Sequence, residues 1–281
     1  MIRYAVLGSG SCGNSYVFYD GTSSILVDCG FSLKELRRRL EEADIPFESV
    51  KALFLTHLHP DHGCGAGVFS RKTGLPVIMS RKAYETETTV CAKLNISPSS
   101  LVTVEPGEVV GYDSFSLNGF YTTHDSAGSM GWNINADGHE FLILTDSGTY
   151  DETMVQFGEH AEVLFLEANY DERMLRTGPY PYYLQKRIAG DWGHLSNDQA
   201  FEFLCRCRII ESVEVAETSD DEMSLFIGER MDAETDRKVY FIHLSAQNND
   251  PGLVAREAGR YVWHGGFTVC ERGRAYIGEL A

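Results

Sequence analysis

Thr56-His57-Leu58-His59-Pro60-Asp61-His62-Gly63 places three imidazoles and a carboxylate within six residues. It follows Ala52-Leu53-Phe54-Leu55, an apolar run that predicts a short buried strand. In an extended segment alternate side chains share a face, so His57 and His59 project the same way and can hold one cation. The chain must turn after Pro60. Asp61 and His62 then fall at a helix start, displaced enough to hold a second cation. Imidazole and carboxylate together suit Zn²⁺, and also Mn²⁺ or Fe. The chain has nine histidines, and three of them with an aspartate in so short a run are poorly explained as a chance His-rich turn.

Three later segments end an apolar or alternating run in a possible ligand. They are Phe120-Tyr121-Thr122-Thr123-His124, Phe141-Leu142-Ile143-Leu144-Thr145-Asp146 and Val239-Tyr240-Phe241-Ile242-His243. Together with His57-x-His59-x-Asp61-His62 they resemble the ligand order of the metallo-β-lactamase-fold hydrolases. That resemblance implies two divalent ions per chain. His57, His59 and His124 would hold one, and Asp61, His62 and His243 the other, with Asp146 bridging them. It also implies a four-layer αββα sandwich, where periodicity alone gives only mixed α/β. Asp28, at the end of Ile25-Leu26-Val27-Asp28, matches a family carboxylate that accepts the free N–H of a ligating histidine and fixes its tautomer.

With 281 residues the chain can bury a substantial core, and it shows no linker, repeat or low-complexity tract, so one domain over 1–281 is expected. The N-terminal apolar run is cut short by Gly8-Ser9-Gly10 and predicts a strand rather than a signal peptide. No stretch approaches the roughly 18 apolar residues of a membrane span. Seven cysteines without a C-x-x-C pair fit reduced thiols and a cytoplasmic protein. The net charge of −17 argues at first against a nucleic-acid partner. Residues 211–236, however, hold ten acids and one base, a local −9 expected to form a solvated insertion, and −8 is left elsewhere. Two divalent ions would supply +4 against −2 from Asp61 and Asp146, so the cleft itself can be positive.

The coarse pattern predicts strands over 3–8, 15–19 and 24–28, and a helix from a capping box at Ser32-Leu33-Lys34-Glu35 through about residue 42. A strand over 76–80, a helix over 81–94 and several short strands over 101–124 follow. Residues 132–137 and 140–145 form a hairpin. Helices are expected over 149–160, 181–189, 197–208 and about 251–261, with strands over 163–168 and 238–242.

Gly8-Ser9-Gly10-Ser11-Cys12-Gly13-Asn14-Ser15 could cradle a phosphate, with Ser11 and Asn14 in contact, although tight-turn chemistry explains it equally well. With Gly193-His194-Leu195-Ser196-Asn197 and the stretch from His243 to Asn249 it resembles the WalJ/YycJ-type subgroup, related to RNase J and RNase Z nucleases. The resemblance implies a 5′→3′ DNA exonuclease in which Asp61 orients the attacking hydroxide. His194 would contact the scissile phosphate and assist the leaving alcohol. Only 47 residues separate Asp146 from His194, too few for the extra domain of RNase J. Ser196 and Asn197 read as helix caps that also orient this loop toward substrate. Arg173, Arg176, Lys186 and Arg187 surround Tyr180, Tyr182, Tyr183 and Trp192, a mixture that suits a single-strand track or an ordinary amphipathic helix. His139, His160 and His264 lack the strand-end context and read as structural. Two other classes stay open: hydrolysis of a small phosphodiester or thioester, and a metal-stabilised scaffold for a regulatory partner.

Overall fold

The computed structural model describes residues 1–212 and 237–281. The expected acidic insertion lies outside the described residues, apart from Glu211 and Ser212. One seven-stranded sheet has the order β16-β1-β2-β3-β4-β5-β6. Its strands are β1 (Ile2–Gly8), β2 (Ser15–Tyr19), β3 (Ser24–Val27), β4 (Val50–Phe54), β5 (Val77–Ser80), β6 (Leu101–Val104) and β16 (Tyr276–Leu280). The other has the order β15-β13-β11-β10-β9-β8-β7. It comprises β7 (Val109–Tyr112), β8 (Phe115–Tyr121), β9 (Met130–Ala136), β10 (His139–Leu144), β11 (Val163–Glu167), β13 (Arg237–Ile242) and β15 (Gly265–Val269). A ribbon of β12 (Ile210–Ser212) and β14 (Tyr261–Trp263) lies apart from both.

The continuous apolar runs form strands here because both faces of each sheet are covered. In β1, Tyr4 and Val6 enter a core shared with Phe141, Phe165 and Trp132 of the second sheet. Ala5 and Leu7 face the other way, onto Leu36 and Leu40 of α1 (Leu33–Glu42) and Phe69 of α3 (Ala66–Thr73). On the second sheet Leu142, Leu164 and Phe241 meet Met154 of α6 (Glu152–His160), Phe201 and Leu204 of α9 (Asn197–Arg206), and Val254 of the helix Pro251–Ala258. Helix, sheet, sheet and helix are therefore layered with an aromatic-rich centre, as an αββα sandwich requires.

Several boundaries differ from the sequence pattern for identifiable reasons. The helix expected over 81–94 breaks at Glu87 into α4 (Arg81–Thr86) and α5 (Thr88–Leu94). Glu87 Oε1 accepts from Ser126 Oγ at 2.7 Å and from the Ala127 amide at 2.6 Å, so a tertiary contact outweighs helix propensity. The capping box at Ser32 forms only in part. Ser32 Oγ accepts from the Glu35 amide, while the Glu35 carboxylate turns to Arg38 and Arg39. A complete box sits instead at Ser196 and Gln199, opening α9. Tyr261 opens β14 rather than closing a helix, and a short helix α7 (Glu172–Thr177) lies where the pattern gave none. All seven cysteines are free thiols. Among the described residues no helix is long and apolar enough to cross a membrane.

Candidate metal centre

The parallel pairs β3–β4, β10–β11 and β11–β13 bring their C-terminal ends together, and site residues occupy or follow those ends. Asp28 follows β3, His57 and His59 follow β4, Asp146 follows β10, Glu167 ends β11 and His243 follows β13. Asp28, Asp146 and His243 have φ of 62°, 53° and 56°. These left-handed conformations are uncommon for side-chain-bearing residues, and such strain persists where surrounding bonds hold it. Here the Asp28 amide donates to Phe54 O at 2.8 Å and the His243 amide to Ser9 Oγ at 2.6 Å. The Asp28–Gly30 turn lies close against α2 (Pro60–Gly63), with the Cys29 amide donating to His62 O at 2.7 Å. Gly30 permits this approach, since a Cβ there would stand 1.9 Å from Asp61 O.

His57, His62, His124 and His243 each give Nδ1 to the protein and turn Nε2 toward a common space. His62 Nδ1 donates to Asp28 Oδ2 at 2.7 Å, while Nε2 lies 3.2 Å from Asp146 Oδ2 and 3.8 Å from Asp61 Oδ2. His124 Nδ1 donates to Gly193 O at 2.8 Å, leaving Nε2 3.3 Å from His59 Nδ1 and 3.6 Å from Asp146 Oδ1. His243 Nδ1 donates to Glu167 Oε1 at 2.9 Å and its Nε2 lies 3.6 Å from Asp61 Oδ2. His57 Nδ1 is 3.0 Å from Thr56 Oγ1, and its buried Nε2 has no hydrogen-bond partner at all. A carbonyl or carboxylate partner can only accept, so in His62, His124 and His243 Nδ1 carries the hydrogen and Nε2 is the position a Lewis acid would take, at His62 by displacing the 2.8 Å contact with Asn14 Nδ2.

The donor atoms of His57, His59 and His124 lie within 4.8 Å of one another, as do those of Asp61, His62 and His243. His57, His62 and Asp146 form a third such group, which places Asp146 between the two. The orphaned His57 Nε2 fits a cation especially well, because a buried imidazole nitrogen without a partner is otherwise costly. Asp146, Glu167, His194 and His243 also cluster, but Glu167 Oε1 accepts from both ring Nδ1 atoms, at 2.8 Å from His194 and 2.9 Å from His243. That fourth group reads as a proton-bridged support.

The electrostatics separate the two poles. Burial, aided by neighbouring imidazoles, holds His57 well below the ordinary imidazole range, and burial with His124 lowers His59. Both are neutral, the form that ligates. Burial also opposes charge on His62, yet Asp146 and Asp28 outweigh it and raise the ring to about 10. His243 is raised for the same reason by Asp146, Asp61 and Glu167. The Asp61 carboxyl, despite burial, is drawn down to about 2 by His243 and His62. Asp146 falls well below the usual carboxylate range through His243, His62 and His57, again against burial. Asp28 is raised by burial, with His62 and Thr56 acting against this. A divalent ion competes with the protons on His62 and His243 for the same lone pairs.

Glu167 is the residue that sequence reading missed. It is fully buried and also accepts from the amides of Ser147 and Leu195, both at 3.2 Å. Its signal was present, since a carboxylate closing Val163-Leu164-Phe165-Leu166 has the same context as Asp28 and Asp146. Asp125 was missed as well. It lies 3.5 Å from His59 Nε2 and 3.4 Å from His124 Nε2, and it pairs with Arg187. Asn14 is buried, with Nδ2 2.8 Å from His62 Nε2 and 3.4 Å from Asp61 Oδ2, whereas Ser11 is exposed on the same loop. Ser196 Oγ caps α9, and Asn197 exchanges two hydrogen bonds with Asn249, so both hold the His194 loop.

Arg173 and Arg176 are exposed on α7, and Lys186 and Arg187 on α8 (Tyr182–Ile188), which runs through Trp192 into His194. His139 pairs with Glu162, His160 bonds Gln156 O and His264 bonds Glu211, each outside the donor groups above.

Geometry of this kind defines a metal-dependent hydrolase built on an αββα sandwich, and the chain belongs to the family described as "Beta-lactamase superfamily domain", whose model matches residues 23–215. It is an enzyme of that hydrolase superfamily. Exodeoxyribonuclease WalJ from Streptococcus pneumoniae is 30% identical over 88% of this chain and 83% of its own length. Exodeoxyribonuclease YycJ from Bacillus anthracis is 28% identical over 96% of this chain and 92% of its own. Among solved structures, the metallo-β-lactamase fold protein YhfI from Bacillus subtilis superposes with a TM-score of 0.67 at 18% identity, covering 98% of this chain and 99% of that one. The short form of human tRNase Z gives 0.60 at 15%, covering 98% of each chain. At these identities the two likenesses concern the fold alone.

Proposed function

We propose that the chain is a dinuclear metal-dependent phosphodiesterase that degrades DNA as a 5′→3′ exonuclease. The observation that carries this reading is the set of four Nε2 atoms, with His59 Nδ1, Asp61 and Asp146, turned into one space from strand ends of both sheets. His57, His59 and His124 would hold one ion and Asp61, His62 and His243 the other, with Asp146 shared. Two such ions, when bound, lower the pKa of water and neutralise the phosphate oxygens. Zn²⁺ suits the donors, and Mn²⁺ or Fe can use them too.

The remaining work falls to side chains. Asp28, Thr56 and Glu167 fix ring tautomers and so keep the lone pairs aimed. Asp61 orients the nucleophile. His194, with Nδ1 anchored on Glu167, presents Nε2 to hand a proton to the departing oxygen. The names of the relatives support DNA as substrate, as does the basic and aromatic surface of α8 beside the centre. The test is incubation of metal-reconstituted protein with end-labelled single- and double-stranded DNA and RNA, beside bis-p-nitrophenyl phosphate. Shortening of DNA from its 5′ end is the expected result. Hydrolysis of the small diester with every polymer left intact would move the substrate to a smaller class.

A further inference from the structure

A cavity of about 480 Å³ opens beside the metal centre and includes His124 in its wall. Its other walls carry three aromatic side chains, Tyr121, Tyr150 and Trp192, together with Lys82 and Thr122. Trp192 is 63% exposed, whereas Trp132 and Trp263 are buried in the cores. Lys82 Nζ stands 5.2 Å from the Tyr121 ring centroid. Thr122 is only 6% exposed, yet its Oγ1 has no hydrogen-bond partner. A buried hydroxyl without a partner carries a desolvation cost that a polar ligand would relieve. The hydroxyls of Thr123 and Ser126 in the same wall are already engaged, with Ser147 and with Glu87. The Glu87 contact that breaks the helix at 87 is thus also what fixes the 126–127 part of this wall.

We infer that this cavity is a nucleobase subsite, which receives one unpaired base of the nucleotide flanking the cut while the adjoining phosphate lies at the metal centre. This rests on the phosphodiesterase reading above. The volume falls within the range of about 300–1,000 Å³ typical of small-ligand sites, so it takes a single nucleotide and excludes a double helix. Aromatic walls suit a base face, because every base has a π surface to stack. The Thr122 hydroxyl both donates and accepts, so it can meet a polar base edge of either sense.

The test uses the holoenzyme with thymidine 5′-monophosphate and 2-deoxyribose 5-phosphate, which differ only in the base and contain no phosphodiester to cleave. The nucleotide should quench Trp192 fluorescence saturably and bind at least about tenfold more tightly than the sugar phosphate, the usual scale of base stacking. Thr122→Val, nearly isosteric and free of any lost protein bond, should weaken the nucleotide about three- to tenfold. Trp192→Ala should abolish the quenching. Equal binding of the two compounds, or quenching indifferent to Thr122→Val, overturns the subsite. DNA cleavage measured on the same sample keeps the two readings apart. Cleavage without base-dependent binding removes the subsite alone, whereas base-dependent binding without DNA cleavage upholds the subsite and removes the polymer substrate.

Discussion

The floor of the site and its rim are built on opposite principles. On the floor His57, His62, Asp146 and Glu167 are all but inaccessible, and each has its orientation set by hydrogen bonds to a neighbouring side chain or amide. On the rim Tyr182, Tyr183 and Trp192 are 70%, 75% and 63% exposed on or just after one short helix with Lys186 and Arg187. A preorganised floor acts on any phosphodiester that reaches it, whatever its size. A rim of exposed aromatics and cations gains energy only from a partner long enough to lie across it. Chemistry and substrate selection are therefore separable by mutation.

The largest effect is expected at Asp146, the carboxylate that touches both poles. Asp146→Ala should take the chain from about two bound divalent ions to almost none, measured by elemental analysis after gel filtration, and every substrate should suffer equally. His124→Ala should remove mainly the ion at His57 and His59. If Asp146→Ala retains one full ion, the poles are independent and the floor is not one unit.

Next in size is His194→Ala, expected to lower turnover by about 10²–10⁴ while leaving the metal content intact. Its imidazole meets Glu167 and lies 3.5 Å from Asp146, so loss of metal alongside activity would make it a ligand and place it in the floor proper. A smaller change is expected from Asp28→Asn. The variant keeps the shape but no longer offers a charged acceptor to His62 Nδ1, and the ion at Asp61, His62 and His243 should bind about 10–100-fold more weakly. The pole of His57, His59 and His124 should lose less: Asp28 reaches it only indirectly, by accepting from the amide and hydroxyl of Thr56 beside His57 Nδ1, while His124 rests on Gly193 O.

How much of this could be read from the sequence follows the same division. His57, His59, Asp61 and His62 were legible because four donors fall on one strand-to-helix turn. His124, Asp146 and His243 were legible because each ends an apolar run, although only the family resemblance told that they converge. Glu167 carried the same strand-end signal and went unread because it is not a ligand type in that position of the pattern. Asp125 has no local signal. Its role depends on a 62-residue contact to Arg187, which no periodicity encodes. The two-sheet core was implied by the family resemblance alone, since periodicity gave only mixed α/β, while the break at Glu87 and the cap partners of Asn197 are tertiary hydrogen bonds invisible to propensity.

The smallest effect is expected on the rim, and there the two neighbouring cations should behave differently. Lys186 Nζ sits 4.9 Å from the Tyr182 ring centroid on the exposed face of α8. Arg187 pairs with Asp125, which in turn lies within 3.5 Å of the rings of His59 and His124. Lys186→Ala should therefore weaken DNA binding and reduce the log–log salt slope by about 0.7–0.9, the value of one phosphate contact, with hydrolysis of bis-p-nitrophenyl phosphate unchanged. Arg187→Ala frees the Asp125 carboxylate beside the imidazole pole, so it should slow the small diester as well as DNA. Binding isotherms at four salt concentrations, run beside the chromogenic assay, separate the two. If Lys186→Ala slows both substrates equally, α8 supports the floor rather than a polymer track. If Arg187→Ala affects DNA alone, Asp125 is not coupled to the metal centre, and the division between floor and rim lies one residue further in.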